Sequence, residues 1–263
     1  MKKLLMRQSK VLAKLRAGKV ANCFKLNLSD ARAVEIAAMA GYDCLWLDME
    51  HVPNDLSVIE RSIWAAKSQN VDVMVRVTRG SYSDVIRPLE MDAAGIMVPH
   101  VMSLADAQLV VRTTRFHPIG RRPVDGGNAD GAYCGIPFTE YIQQANTERF
   151  VIVQIEDPEP MEELDAIAAL PGIDMLFFGP GDFGHGIGAP GVPDDPRLLE
   201  ARKHVVEAAL AHNKFAGTVA SAANIKELTA MGYRFLSMGA DVVGLANYCR
   251  SVINEFRELT QTG

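Results

Sequence analysis

"LWLDMEH", residues 45–51, runs Leu-Trp-Leu and then turns abruptly to Asp-Met-Glu-His. A strand on a surface alternates apolar and polar side chains, whereas this one is apolar first and titratable only at its C-terminal tip. A buried parallel strand that delivers Asp48, Glu50 and His51 to a site has this pattern. Similar short apolar runs occur at 20–28, 72–77, 95–101, 150–157, 174–182, 214–220 and 235–241, which with 44–50 makes eight. Stretches of helical periodicity separate most of them, such as "DARAVEIAAMA" after Ser29, "DLSVIERSIWAAKSQ" after Asn54 and "DPRLLEARKHVVEAALAH" after Asp194. Ser29, Asn54 and Asp194 suit N-capping. Eight strands alternating with helices in 263 residues indicate an α/β chain folded as a (β/α)8 TIM barrel. A doubly wound sheet usually has about five or six. We expect one domain over 1–263, with a lead-in helix over 1–18 and a last helix over 241–258.

Composition narrows the partners. The chain is 48% hydrophobic and 22% charged, with a net charge of −5 and no long run of Lys and Arg, which argues against nucleic acid. Cys23, Cys44, Cys134 and Cys249 are scattered without CxxC spacing, so neither a zinc knuckle nor a disulfide framework is expected, and a reduced cytoplasmic setting fits. The apolar run of the N-terminal "MKKLLMRQSK" is broken by Arg7, Gln8, Ser9 and Lys10, and no span of membrane length follows.

In a TIM barrel the C-terminal ends of the strands carry the chemistry. Strand two ends in Asp48, Glu50 and His51, strand three carries Arg76, strand five ends in Gln154 and Glu156, and strand six runs into "GPGD" with Asp182. A lone strand-end carboxylate often caps a helix or pairs with an Arg. Glu156 and Asp182 on adjacent strands, with no His/Cys cluster, instead point to a hard oxygen site for Mg²⁺, Mn²⁺ or a similar ion such as Co²⁺.

"LDMEHVPND", "MVRV", "GIMVPHV", "VIVQIED" and "FFGPGDF", in that order, resemble the metal-dependent class II aldolases of the HpcH/HpaI type, which act on pyruvate and related 2-oxo acids. The resemblance implies that Glu156 and Asp182 ligate the ion. It also implies that Gln154 and the backbone at Gly181 and Asp182 bind the 2-oxo acid, with Arg76 facing its keto oxygen. His51, oriented by Asp48, would handle the proton. Glu90 in "PLEMDAAG" stands where the family has an acidic residue from a neighbouring subunit, and a homo-oligomer, a hexamer, is implied, with the last helix exchanged between subunits. The chemistry fits these residue types, because enolate formation needs positive charge at the keto oxygen and a group that moves a proton near neutral pH.

Other signals are weaker. "GPGDFG" at 179–184 matches a dinucleotide-binding pattern, but "HGIGAPGVPDD" follows instead of a helix and Asp182 would repel a pyrophosphate. Lys25 is the one lysine placed for a Schiff base, and ion pairing is the commoner fate of a strand lysine. His100 and His117 read as structural or solvent-facing; His185 follows Asp182 in a Gly-rich loop. The loop "GRRPVDGGNADGAYCG" (120–135) departs from the family, with Pro123 where Gly is expected and no Arg over 123–135, which leaves the aldehyde half of the site open. The rival readings are an oxaloacetate-like 2-oxo acid decarboxylase on the same site and a non-catalytic ligand-binding barrel.

Overall fold

The computed structural model describes residues 4–260. Eight parallel strands close into one barrel in sequence order: β1 (Ala21–Leu26), β2 (Cys44–Asp48), β3 (Asp72–Arg76), β4 (Gly95–Val98), β5 (Phe150–Ile155), β6 (Met175–Phe178), β7 (Phe215–Val219) and β8 (Phe235–Ala240). Outside them lie α2 (Ala31–Met39), α3 (Leu56–Ser68), α4 (Tyr82–Glu90), α5 (Leu104–Thr114), α6 (Phe138–Glu148), α7 (Leu164–Ala169), the short α8 (Pro180–Gly186), α9 (Pro196–Ala211) and α10 (Ile225–Met231). The (β/α)8 barrel expected from the strand count is therefore present.

Side chains alternate across each strand with period two, and this builds two cores. Leu45, Leu47, Val73, Val75, Val151 and Val153 face the helices. Cys44, Trp46, Met74, Met97, Phe150, Ile152 and Phe177 fill the barrel interior. Val11, Leu12 and Leu15 of α1 (Lys10–Arg16) join that interior set and plug the floor of the barrel. The expected 1–18 helix is thus shorter: the Ser9 side chain accepts from Leu12 N–H at 3.1 Å and starts the helix there, and residues 1–3 lie outside the described residues.

Each of the three expected N-caps sits one residue too early. Asp30, Asp55 and Asp195 do the capping, accepting from the N–H groups of Arg32 (2.8 Å), Val58 (2.9 Å) and Arg197 (2.9 Å). Asn54 is otherwise engaged, donating to the Asp48 carbonyl at 2.8 Å, and Ser29 donates to Asn54.

The last helix, α11 (Asp241–Thr260), stands apart. Asp241 ties its start to β1 by accepting from Asn27 and Leu28 N–H, both at 2.8 Å, yet no residue of this helix is buried. Among the described residues, no helix is long and apolar enough to cross a membrane.

Candidate active site

The inward-facing series of each strand starts apolar and ends polar. Cys44 and Trp46 lead to Asp48, Met74 leads to Arg76, and Phe150 and Ile152 lead to Gln154, so the strand C-termini deliver these groups to one mouth. Asp48 and Arg76 are register partners on β2 and β3. The Arg76 guanidinium donates Nε to Asp48 Oδ1 at 3.0 Å and a terminal nitrogen to Oδ2 at 2.5 Å, both side chains being buried. Its remaining nitrogen lies 2.9 Å from Glu50, and its charge sits over the Trp46 ring. Burial alone would raise the Asp48 carboxyl; the Arg76 hydrogen bonds and charge, joined by Lys25 at 3.0 Å, override it and hold the group at about 2. Lys25 is thus ion-paired, as expected of a strand lysine.

The structure does not bring Asp48 and His51 together. His51 is largely exposed, and its Nε2 lies 3.6 Å from Glu50. The polypeptide turns after β2 so that Glu50 N–H donates back to Asp48 at 3.0 Å, which aims His51 outward.

Glu156 is buried just beyond β5, where Gln154 donates to it and Gly179 packs against it. A Cβ on Gly179 would fall 2.7 Å from Glu156 Cβ, so only glycine lets β6 pass this closely. At Gly181 an added Cβ meets nothing within 4 Å, which leaves open space at the mouth. Asp182 is exposed in the first turn of α8. Burial pushes the Glu156 carboxyl up; the His100 N–H and charge draw it back, Glu50 and Asp182 raise it further, and it settles at about 7.

His100, expected to be structural or solvent-facing, lies half-buried beside the site carboxylates, and with Glu50 and Glu156 it forms a cluster that offers one ligand atom each, all within 4.8 Å of one another. Its N–H donates to Glu156 at 3.0 Å, its Nδ1 lies 2.8 Å from Asp157, and its Nε2 lies 3.3 Å from Glu50. The rule that flagged the other strands applied here too, since "GIMVPH" also turns polar just past its strand. Asp182 lies outside this three-residue cluster, although its charge reaches Glu156.

A divalent cation suits the donor set. Glu50, Glu156 and Asp182 concentrate negative charge that a buried Glu156 bears only by holding a proton up to about pH 7, and Gln154 Oε1 is buried without a hydrogen-bond partner.

The 120–135 loop lies away from this mouth. Arg122 N–H donates to the carbonyl of Arg115, whose side chain bonds Gly172 and Arg149 carbonyls just before β6 and β5, at the end where strands begin. Buried Arg122 donates to Asp130 at 3.0 Å, and Tyr141 donates to the same oxygen at 2.9 Å. Glu90, at the end of α4, shares this environment: burial raises its carboxyl, Arg122 opposes, and Asp130 and Asp125 add to the rise.

A sequence profile of the HpcH/HpaI aldolase/citrate lyase family matches residues 23–247. The chain belongs to this family. It is similar to a hydroxypyruvate/pyruvate aldolase of Cupriavidus necator, 32% identical over 234 residues that cover 89% of this chain and 87% of the relative. A 5-keto-4-deoxy-D-glucarate aldolase of Escherichia coli K12 is 29% identical over 88% of this chain and 90% of its own. Among solved structures, an HpcH/HpaI aldolase/citrate lyase family protein from Burkholderia cenocepacia superposes with a TM-score of 0.87 at 32% identity, covering 95% of this chain and 99% of that one.

Proposed function

We propose that this family member is a class II aldolase that makes or breaks a carbon–carbon bond between a pyruvate-type enolate and an aldehyde. The observation that carries the reading is the meeting of Glu50, His100 and Glu156 beside a rigidly held Arg76 at the mouth of the barrel. Glu156 and Asp182 hold the divalent ion, Mg²⁺, Mn²⁺ or Co²⁺, which when bound supplies positive charge where the enolate's negative charge develops. Arg76, fixed by Asp48, adds a second positive charge facing the keto oxygen. Gln154 and the open backbone at Gly181 and Asp182 seat the 2-oxo acid. His51, exposed at the rim, moves the proton, with Asp48 acting on it only through the turn that both share.

The same reading makes the protein a cytoplasmic homo-oligomer, a hexamer, in which α11 is exchanged and Glu90 faces a neighbour's mouth. In support, α11 exposes Val243, Leu245, Tyr248, Phe256 and Leu259, and Glu90 sits far from its own mouth. All four cysteines are free thiols, which suits a reducing compartment.

Exchange of the pyruvate methyl protons with deuterium tests the reading. It should require a divalent ion, stop in chelator and resume on adding Mg²⁺, Mn²⁺ or Co²⁺, and an aldehyde should convert the enolate to a new hydroxy-2-oxo acid. Exchange that persists in chelator, or a Lys25 adduct trapped by borohydride, would refute the metal-dependent class. Loss of carbon dioxide from oxaloacetate without any aldehyde-dependent product would favour a decarboxylase.

A further inference from the structure

We propose that His100 is a nitrogen ligand of the divalent ion, oriented by Asp157, and that it biases this site toward ions that favour imidazole over Mg²⁺. The proposal deepens the metal-dependent reading above and rests on it.

The backbone gives the first reason. His100 has φ +48°, in the left-handed region that costs free energy for a residue with a side chain and persists only where surroundings enforce it. Here both its polar backbone groups are tied: the N–H donates to Glu156 at 3.0 Å, and the carbonyl accepts from Arg79, which also donates to Asp106 at 2.8 Å. The strained turn therefore serves to fix the ring against Glu156.

The ring gives the second. A carboxylate oxygen only accepts, so the 2.8 Å contact with Asp157 puts a proton on Nδ1. Nε2 is then the ligating nitrogen, and it is the atom 3.3 Å from Glu50. A carboxylate holding one ring nitrogen while the other faces a donor cluster is the arrangement that orients metal-binding histidines.

Spacing gives the third. Donors that bind one transition ion at about 2.0–2.2 Å lie roughly 3–4 Å apart. One ligand atom each of Glu50, His100 and Glu156 lies within 4.8 Å of the others, and the ring nitrogen nearest Glu156 is Nδ1 at 3.8 Å, so the ring must turn to bring Nε2 onto an ion shared with Glu156. The competing role is a hydrogen-bond bridge in which His100 merely links Glu50 to Asp157.

Calorimetric titration of the chelator-stripped protein with Mg²⁺ and with Co²⁺, together with the visible spectrum of the Co²⁺ form, separates the two. His100→Asn keeps a residue that tolerates the left-handed backbone but removes the imidazole. The expected result is a Kd for Co²⁺ weaker by about 10- to 100-fold, a shifted Co²⁺ spectrum, and a Kd for Mg²⁺ changed less than about threefold. Asp157→Asn, which leaves the ring in place, should weaken Co²⁺ in the same selective way by a smaller factor. Equal losses for both ions, or an unchanged spectrum and Co²⁺ affinity, would make His100 a bridge and overturn the proposal. Wild-type protein that binds neither ion would overturn the metal-dependent reading and this inference with it, an outcome told apart because it needs no variant.

Discussion

Asp48 and Arg76 stand opposite each other on neighbouring strands and close a two-point ion pair inside the barrel, at 3.0 and 2.5 Å. Taking one partner from such a buried pair costs about 3–5 kcal/mol, because the other charge is left without compensation. Arg76→Lys keeps the charge but loses the planar fork, so kcat/KM should fall on the order of 10²-fold while the protein stays folded. Steady-state kinetics beside a thermal melt checks this; near-wild-type kcat/KM would remove Arg76 from the keto oxygen.

The same pair has an acid limit. Asp48 is held at about 2, below its ordinary 3.8, so its contribution to stability is complete above the ordinary value and is lost as pH falls toward 2. Urea unfolding of wild type and Asp48→Asn should therefore differ strongly at about pH 5 and converge at about pH 2. A gap that does not narrow would mean that Asp48 is not the titrating group.

His51 carries little of the structure, being exposed with one contact to Glu50 at 3.6 Å. His51→Ala should leave the melting temperature and metal affinity as they are and slow pyruvate proton exchange by about 10²–10⁴-fold, the range for a lost general base. Unchanged exchange would assign the proton to another group or to water.

If Glu156 ligates the ion as proposed, protons and metal compete for it. Its carboxyl sits at about 7 in the metal-free protein, raised by burial, so it is protonated below that pH and must lose the proton to ligate. Mn²⁺ affinity, measured by calorimetry, should rise as pH increases through about 7 and then level off. Affinity that stays flat between about pH 6 and pH 8 would remove Glu156 from the ligand set.

The 120–135 loop lies away from its own mouth, so it bears on the acceptor only where, in the proposed oligomer, it faces a neighbour's mouth as Glu90 does. Its buried Arg122 is already paired with Asp130, and Asp125 lies close by, so the loop holds no spare buried cation for the distal carboxylate of an acidic aldehyde. With pyruvate as donor, kcat/KM for glycolaldehyde should exceed that for succinic semialdehyde. A clear preference for the acid would mean that a cation reaches the mouth from elsewhere.

The barrel was legible because each strand carries its own apolar run, and the change from apolar to polar at the C-terminal tips marked Asp48, Arg76, Gln154 and Glu156. What remained hidden depended on choices between neighbours. Ser29 and Asp30, Asn54 and Asp55, Asp194 and Asp195 all offer capping oxygens in adjacent positions; Asn54 went to the Asp48 carbonyl and Ser29 to Asn54, which no local pattern reveals. The place of His100 beside Glu156 was not legible because it depends on the sign of one φ angle and on Asp157, a residue 57 positions away that the closed barrel brings alongside. Asp48 and His51 were linked in sequence, but the turn after β2 separates them.

None of the twenty residues of α11 is buried, so its apolar side chains find no cover within one chain. If a second copy covers α11, association and folding become one mass-action equilibrium. The melting temperature would then climb with protein concentration, and specific activity would decline on dilution into a sparse assay. Cutting the chain after Ala240 would erase both dependences together, and would show how much of the barrel's stability is borrowed.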